Sequence, residues 1–165
     1  MQSLYGLDAR AFAAAGNYNA VTVRPLAEAD RTDWDRLWKG YLDFYETTLP
    51  PAQYDLTFKR FLDPAEPMFA YLAMHDGKAK GLVHIILHRH GWRDGPTCYL
   101  QDLYVDLDTR GTRMGRALIE HVYRVTKAAG GGRVYWLTHE TNTTARQLYD
   151  RIADKTGFIQ YAKTL

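Results

Sequence analysis

The segment Arg110-Gly111-Thr112-Arg113-Met114-Gly115 holds two glycines and two arginines immediately before a stretch with helical spacing. At a helix start the first N–H groups lack carbonyl partners and the macrodipole favours an anion, so this is a candidate phosphate site. The surrounding charge agrees. Residues 110–133 carry Arg110, Arg113, Arg116, Arg124, Lys127 and Arg133 against Glu120 alone, on a chain whose net charge is only +2. An ordinary polar helix start is the competing reading of such a loop. No Gly-x-Gly-x-x-Gly follows the first strand and no Walker loop is present, which removes the dinucleotide-fold and P-loop readings.

A second region has the opposite sign. Residues 28–66 hold nine acidic and five basic side chains, and an acidic half beside a basic half suits a cation next to an anion. Tyr41, Tyr45 and Tyr54 either line a cation pocket there or, as aromatics at helical spacing, belong to the core. His84, His88 and His90 recur on one face of a strand, the pattern of a zinc site or of a polar strand face beside a cleft. No Cys or His pair at tight ligand spacing accompanies them, and no metal is assigned.

These residues need elements to hold them. Ala20-Val21-Thr22-Val23-Arg24 alternates apolar and polar and reads as an opening strand. Trp34, Leu37, Trp38, Tyr41 and Tyr45 predict a helix over 30–47, and Tyr54, Phe58, Phe61 and Leu62 a second one. Two apolar runs, 68–74 and 81–88, flank His75-Asp76-Gly77-Lys78, a hairpin signal. Cys98 to Val105 predicts the central strand, Met114 to Val125 a helix, Val134 to Leu137 a strand, Ala145 to Lys155 a helix and Phe158 to Tyr161 a last strand. The order βααβββαβαβ implies a mixed sheet, parallel between the strands near 103 and 135. Residues 1–19 read as an N-terminal extension and 20–165 as a single domain.

Length and composition agree with one globular α/β domain: 165 residues, 46% hydrophobic and 24% charged, with 12 Tyr, 6 Phe and 4 Trp. No apolar run reaches the ~20 residues of a membrane span. No Lys/Arg block points to nucleic acid. The single Cys98 reads as a buried thiol in a reducing, cytoplasmic setting, and the apolar stretch at residues 11–15 is too short for a signal peptide.

The stretch LQDLYVDLDTRGTRMGRALIEHV resembles the acetyl-CoA loop motif of the GCN5-related N-acetyltransferases, Arg/Gln-x-x-Gly-x-Gly/Ala after a "LYV" strand. Asn142, Ala145, Leu148-Tyr149 and Gly157-Phe158 resemble that family's later "N…A…LY…GF" motif. "YLQDLYV" and "LYDRIADKTGF" further resemble the branch with polyamine and histone acetyltransferases. The resemblance spans about residues 20–165. It implies a sheet flanked by helices on both faces and splayed between its two parallel strands, with acetyl-CoA in the wedge as cosubstrate. Leu103, Tyr104 and Val105 match the pantetheine-binding strand, and Arg110, Gly111, Thr112, Arg113, Met114, Gly115 and Arg116 the pyrophosphate loop. Asn142 matches a cofactor contact, its other role being a helix cap.

The reaction so implied is direct attack of a primary amine on the thioester in a ternary complex, with the oxyanion held by a backbone N–H of the central strand. Tyr149, which otherwise reads as a packed helix tyrosine, matches the general acid for the leaving thiolate. The ammonium must lose a proton, for which Asp102, Glu46 and His139 are candidates, Asp102 first. The acceptor is a small-molecule or protein amine, and edge pairing into a homodimer is left open. Two departures stand out. Arg113 replaces the family's usual glycine, trading conformational freedom for charge, and Tyr149 to Gly157 is about one helical turn longer than the shortest family pattern, which predicts a longer last helix. A CoA-binding regulatory module without catalysis is the rival reading.

Overall fold

The computed structural model describes residues 4–109 and 112–165. Its elements are β1 (Gly16–Tyr18), β2 (Val21–Pro25), α1 (Arg31–Phe44), α2 (Pro51–Leu62), β3 (Met68–His75), β4 (Lys78–His88), β5 (Thr97–Val105), α3 (Met114–Ala128), β6 (Arg133–Tyr135) and α4 (Thr143–Ile152). The strands form one sheet in chain order, antiparallel except for the parallel β5–β6 pair.

Local chemistry explains the joints. Asp76 (φ 49°) and Gly77 (φ 73°) are both left-handed and set His75 opposite Lys78, the two-residue turn that Asp-Gly closes most readily. The Asp30 carboxylate ahead of α1 accepts from Arg24 at 2.7 and 2.8 Å and from the Ala27 N–H at 2.8 Å, which ties β2 to the helix start. Pro51 opens α2 at the first helical position, where its missing N–H has no cost.

Alternating strand residues bury the two faces separately. Tyr71, Ala73, Val83, Ile85, Leu87, Cys98 and Leu100 pack with Leu118, Ile119, Val122 and Val125 of α3. Ala70, Leu72 and Leu82 pack with Trp34, Leu37 and Trp38 of α1 and Phe58 and Phe61 of α2. A bulge resets this alternation in β5: His84 pairs with Asp102 but Ile85 with Leu100, so Gln101 is the extra residue. Leu103 and Val105 thereby pack on the α3 face, and Tyr104 on the α1 face.

Three expectations change. The strand over Phe158–Tyr161 is absent: residues 153–165 hold no helix or strand, and Phe158, Ile159 and Tyr161 are 83%, 73% and 88% exposed. Alternation is local, but a strand also needs an edge to pair with, and this segment makes no pairing within the chain. The last helix covers Thr143–Ile152 rather than running to Lys155, since Ala153 is already extended (φ −152°, ψ 167°). The extra residues before Gly157 are therefore not an added turn. Residues 4–19, given no role from sequence, contribute β1 and Phe12, which is 2% exposed and stacks on Phe69 at 4.4 Å.

Candidate active site

β5 and β6 pair only at Thr97–Arg133, Cys98–Val134 and Tyr99–Tyr135 and then part. Beyond Tyr99, β5 pairs with β4 and no longer with β6 among the described residues, so the Leu103 and Val105 backbone faces the gap between the two parallel strands. A cleft of about 530 Å³ occupies the opening, walled by Leu103, Tyr104 and Val105, the start of α3, Asn142 to Tyr149 along α4, and Tyr41, Phe44 and Tyr45 at the end of α1.

The α3 side suits an anion. The first hydrogen bond of α3 is Ala117 N–H to the Arg113 carbonyl, so the N–H groups of Met114, Gly115 and Arg116 have no acceptor of the helical kind. Arg113, Met114, Gly115 and Arg116 line the cleft. Arg113 is left-handed (φ 63°, ψ 14°), the backbone glycine adopts freely and an arginine only at a cost of roughly 1–2 kcal/mol. The departure from the family pattern is thus strain stored at the loop, with a cation gained. Thr112 Oγ1 donates to the Thr109 carbonyl at 2.7 Å and shapes the approach. Arg110 and Gly111 lie outside the described residues.

The α1 side is aromatic with a buried charge behind it. Asp102, 6% exposed, accepts at 2.8 Å from His84 Nδ1, and His84 Nε2 accepts from the Trp34 indole N–H at 2.8 Å. Burial first, then the nearby Asp102 carboxylate, pushes the Tyr41 hydroxyl far above its usual range. Asp102 does not line the cleft itself; Tyr41 does. Burial, with the Asp102 charge second, also raises Tyr45 and Tyr99.

Tyr149 lies on the cleft wall, half-buried and edge-on to Trp136 at 5.3 Å. Burial first, then Tyr45, pushes its hydroxyl up to about 12, so it keeps its proton at neutral pH. Asn142 also lines the cleft, its Nδ2 donating to Thr138 Oγ1 at 3.1 Å rather than its side chain capping α4.

Glu46 and His139 are placed elsewhere. Glu46 is exposed and left-handed (φ 51°), and its N–H and that of Thr47 close α1 onto the Asp43 and Leu42 carbonyls at 3.0 and 2.9 Å, a helix-ending motif in which the backbone does the work. Neither Glu46 nor His139 is among the cleft-lining residues, and His139 is hydrogen-bonded to Thr141 at 2.8 Å. Of the three histidines expected on one strand, His90 lies beyond the end of β4, and each has its own partner: His88 meets Tyr135 at 3.0 Å and His90 accepts from Trp92 N–H at 3.2 Å. Sequence reasoning missed Phe44, Leu148 and Arg151 on the cleft. Leu148 stood inside a quoted motif; Phe44 and Arg151 gave no local signal.

Residues 34–153 match the model of the acetyltransferase (GNAT) family. The D-amino-acid N-acetyltransferase HPA3 of Saccharomyces cerevisiae (strain ATCC 204508 / S288c) is 35% identical over 145 residues, covering 87% of this chain and 90% of the relative. An aminoglycoside acetyltransferase, meta-AAC0020 from an uncultured soil metagenomic sample, solved with trehalose, superposes with a TM-score of 0.76 at 18% identity, over 89% of this chain and 97% of its own. The aminoglycoside N-acetyltransferase AAC(6')-Iy in complex with CoA gives 0.75 at 17% identity, over 92% and 96%. The chain belongs to the GNAT family of acetyltransferases. It is accordingly an N-acetyltransferase with acetyl-CoA as its cosubstrate.

Proposed function

We propose that the protein transfers acetyl directly from acetyl-CoA to a primary amine within a ternary complex, and that the acceptor is a small cationic amine. The observation that carries this is the cleft's polarity: helix-start N–H groups and Arg113 and Arg116 at one end, tyrosines backed by Asp102 at the other, and Tyr149 on the wall. The relative that acetylates D-amino acids and the aminoglycoside-acetylating neighbours support a small-molecule acceptor.

Acetyl-CoA supplies the thioester. The β5 backbone at Leu103, Tyr104 and Val105 orients its pantetheine chain as an added strand would, and Arg110 to Arg116 bind its pyrophosphate, with Asn142 as a further contact. Tyr149, protonated at neutral pH, gives its proton to the departing sulfur. Asp102, through Tyr41, draws the ammonium and takes its proton; Glu46, away from the cleft, is the weaker candidate.

Residues 20–165 act as one acetyltransferase domain, with the N-terminal residues packed on it. A single buried cysteine supports a reducing, cytoplasmic setting, and among the described residues no helix is long and apolar enough to cross a membrane. Exposed Phe158, Ile159, Tyr161 and Leu165 support a homodimer, for which light scattering is the test, a monomer mass defeating it. The activity is tested by thiol release against D-amino acids, polyamines and aminoglycosides, with calorimetry for CoA. Release with a cationic amine is expected, and binding of CoA with no release from any amine overturns the proposal.

A further inference from the structure

Asp102 is a buried carboxylate whose partners are neutral. Among the described residues no Lys or Arg pairs with it, and its one charged-pair candidate is His84. The protonation state of that ring follows from hydrogen-bond geometry. The Trp34 indole nitrogen is only ever a donor, and it sits 2.8 Å from His84 Nε2. Nε2 must present a lone pair there, so the single ring proton is on Nδ1, aimed at Asp102 Oδ2 at 2.8 Å. A second proton on His84 would set two N–H groups head to head. Trp34 is 0% and His84 1% exposed, so water does not relieve that clash.

The other elements around the pair add no cation. α1 brings Trp38 against His84, with Tyr41 and Tyr45 towards Asp102; α2 brings the Phe61 ring at 4.3 Å; β3 brings Ala70; and β5 brings Tyr99. The carboxylate accepts hydrogen bonds but has no counter-ion, and an uncompensated buried charge is unfavourable unless a ligand supplies the opposite one. Asp102 itself does not line the cleft, but Tyr41, whose hydroxyl feels that carboxylate, does.

We propose that Trp34 and His84 are positioning residues that hold Asp102 as an unneutralised carboxylate, and that Tyr41 joins it to the substrate ammonium. This rests on the reading of Asp102 as the amine-side group. In the step, one ammonium proton passes to the Tyr41 oxygen as the Tyr41 proton passes to Asp102; the amine is left neutral with its lone pair free, and Asp102 later releases the proton to solvent. The Trp34 N–H denies His84 the proton that would make it a cation and cancel Asp102. The device thus rests on the donor-only indole facing Nε2, which leaves no room for a second ring proton beside Asp102.

The test compares pH profiles of kcat/KM for the amine. Trp34→Phe removes the N–H and lets His84 protonate, so the variant loses about tenfold more activity, relative to wild type, near pH 6 than near pH 8.5, with KM for acetyl-CoA unchanged. Adding His84→Asn, whose amide still donates to Asp102 but takes up no proton, flattens the profile again. A loss equal at all pH values, or no flattening in the double variant, overturns the proposal. Ring nitrogen-15 NMR of the wild type reads the tautomer without any variant: one Nδ1–H form across that range is expected, and titration of His84 within it overturns the device even if Trp34→Phe does not fold. Failure of the underlying reading looks different, since Asp102→Asn would then leave amine acetylation unchanged while the NMR result stood.

Discussion

The two ends of the cleft are built by different means. At the α3 end the polar groups are mostly main chain: the N–H groups of Met114, Gly115 and Arg116 and the β5 edge at Leu103 and Val105. At the α1 end they are side chains from three elements, Trp34 and Tyr41 of α1, His84 of β4 and Asp102 of β5. A main-chain site requires a particular local conformation, which a short contiguous motif encodes. A side-chain site needs only that the fold bring remote positions together, and it leaves no contiguous trace.

That contrast can be broken or sharpened by substitution. The largest effect is expected at the junction of the two ends: Tyr149→Phe lowers kcat by about a thousandfold with CoA affinity unchanged, read by steady-state kinetics and calorimetry. A comparable loss of CoA binding would move Tyr149 from acid to binding group.

Next come the two buried histidines. His84 has both ring nitrogens partnered, whereas His121 Nε2 is buried with no partner and burial, with Arg124 second, lowers its pKa to about 4. Between pH 6.5 and 4 the unfolded chain binds a proton that folded His121 refuses, so stability falls as pH falls through that window, on the order of 3 kcal/mol in all. Melting temperatures against pH should show the decline in wild type and a shallower one in His121→Gln.

Asp102→Asn keeps the shape of the amine end but removes its charge, and is expected to lower kcat/KM for the amine about a hundredfold at constant KM for acetyl-CoA. Arg116→Ala should do the reverse, weakening CoA binding about five- to tenfold, more at low salt, with amine KM unchanged. If either variant disturbs both ligands, the two ends are not independent. The smallest change is Arg113→Gly. Relief of the left-handed strain is expected to add about 1 kcal/mol, roughly 2–4 °C in Tm, while loss of the cation weakens CoA binding less than Arg116→Ala does.

The α3 end was legible residue by residue, and so were the hairpin at Asp76-Gly77 and the type of nearly every element. The amine end was legible only as a ranked list, with Asp102 first and Glu46 and His139 behind it. What sets Asp102 apart is its contact with His84, which Trp34 holds from the other side, and Trp34 and His84 are 50 positions apart in the chain. The bulge at Gln101, which turns Asp102 towards α1, has no glycine or proline to announce it.

The sequence alone determined what depends on neighbours along the chain: turn chemistry, helical and strand periods, and a helix start rich in glycine and arginine. Tertiary structure decided what depends on partners far along it: that Phe158–Tyr161 pairs with no strand among the described residues, that Glu46 ends a helix away from the cleft, and that Asp102 lies buried against His84. The physical reason is the same in each case. A backbone conformation is selected by the residues that adopt it, but pairing, burial and charge compensation are properties of contacts, and those exist only once the sheet has brought the helices against it.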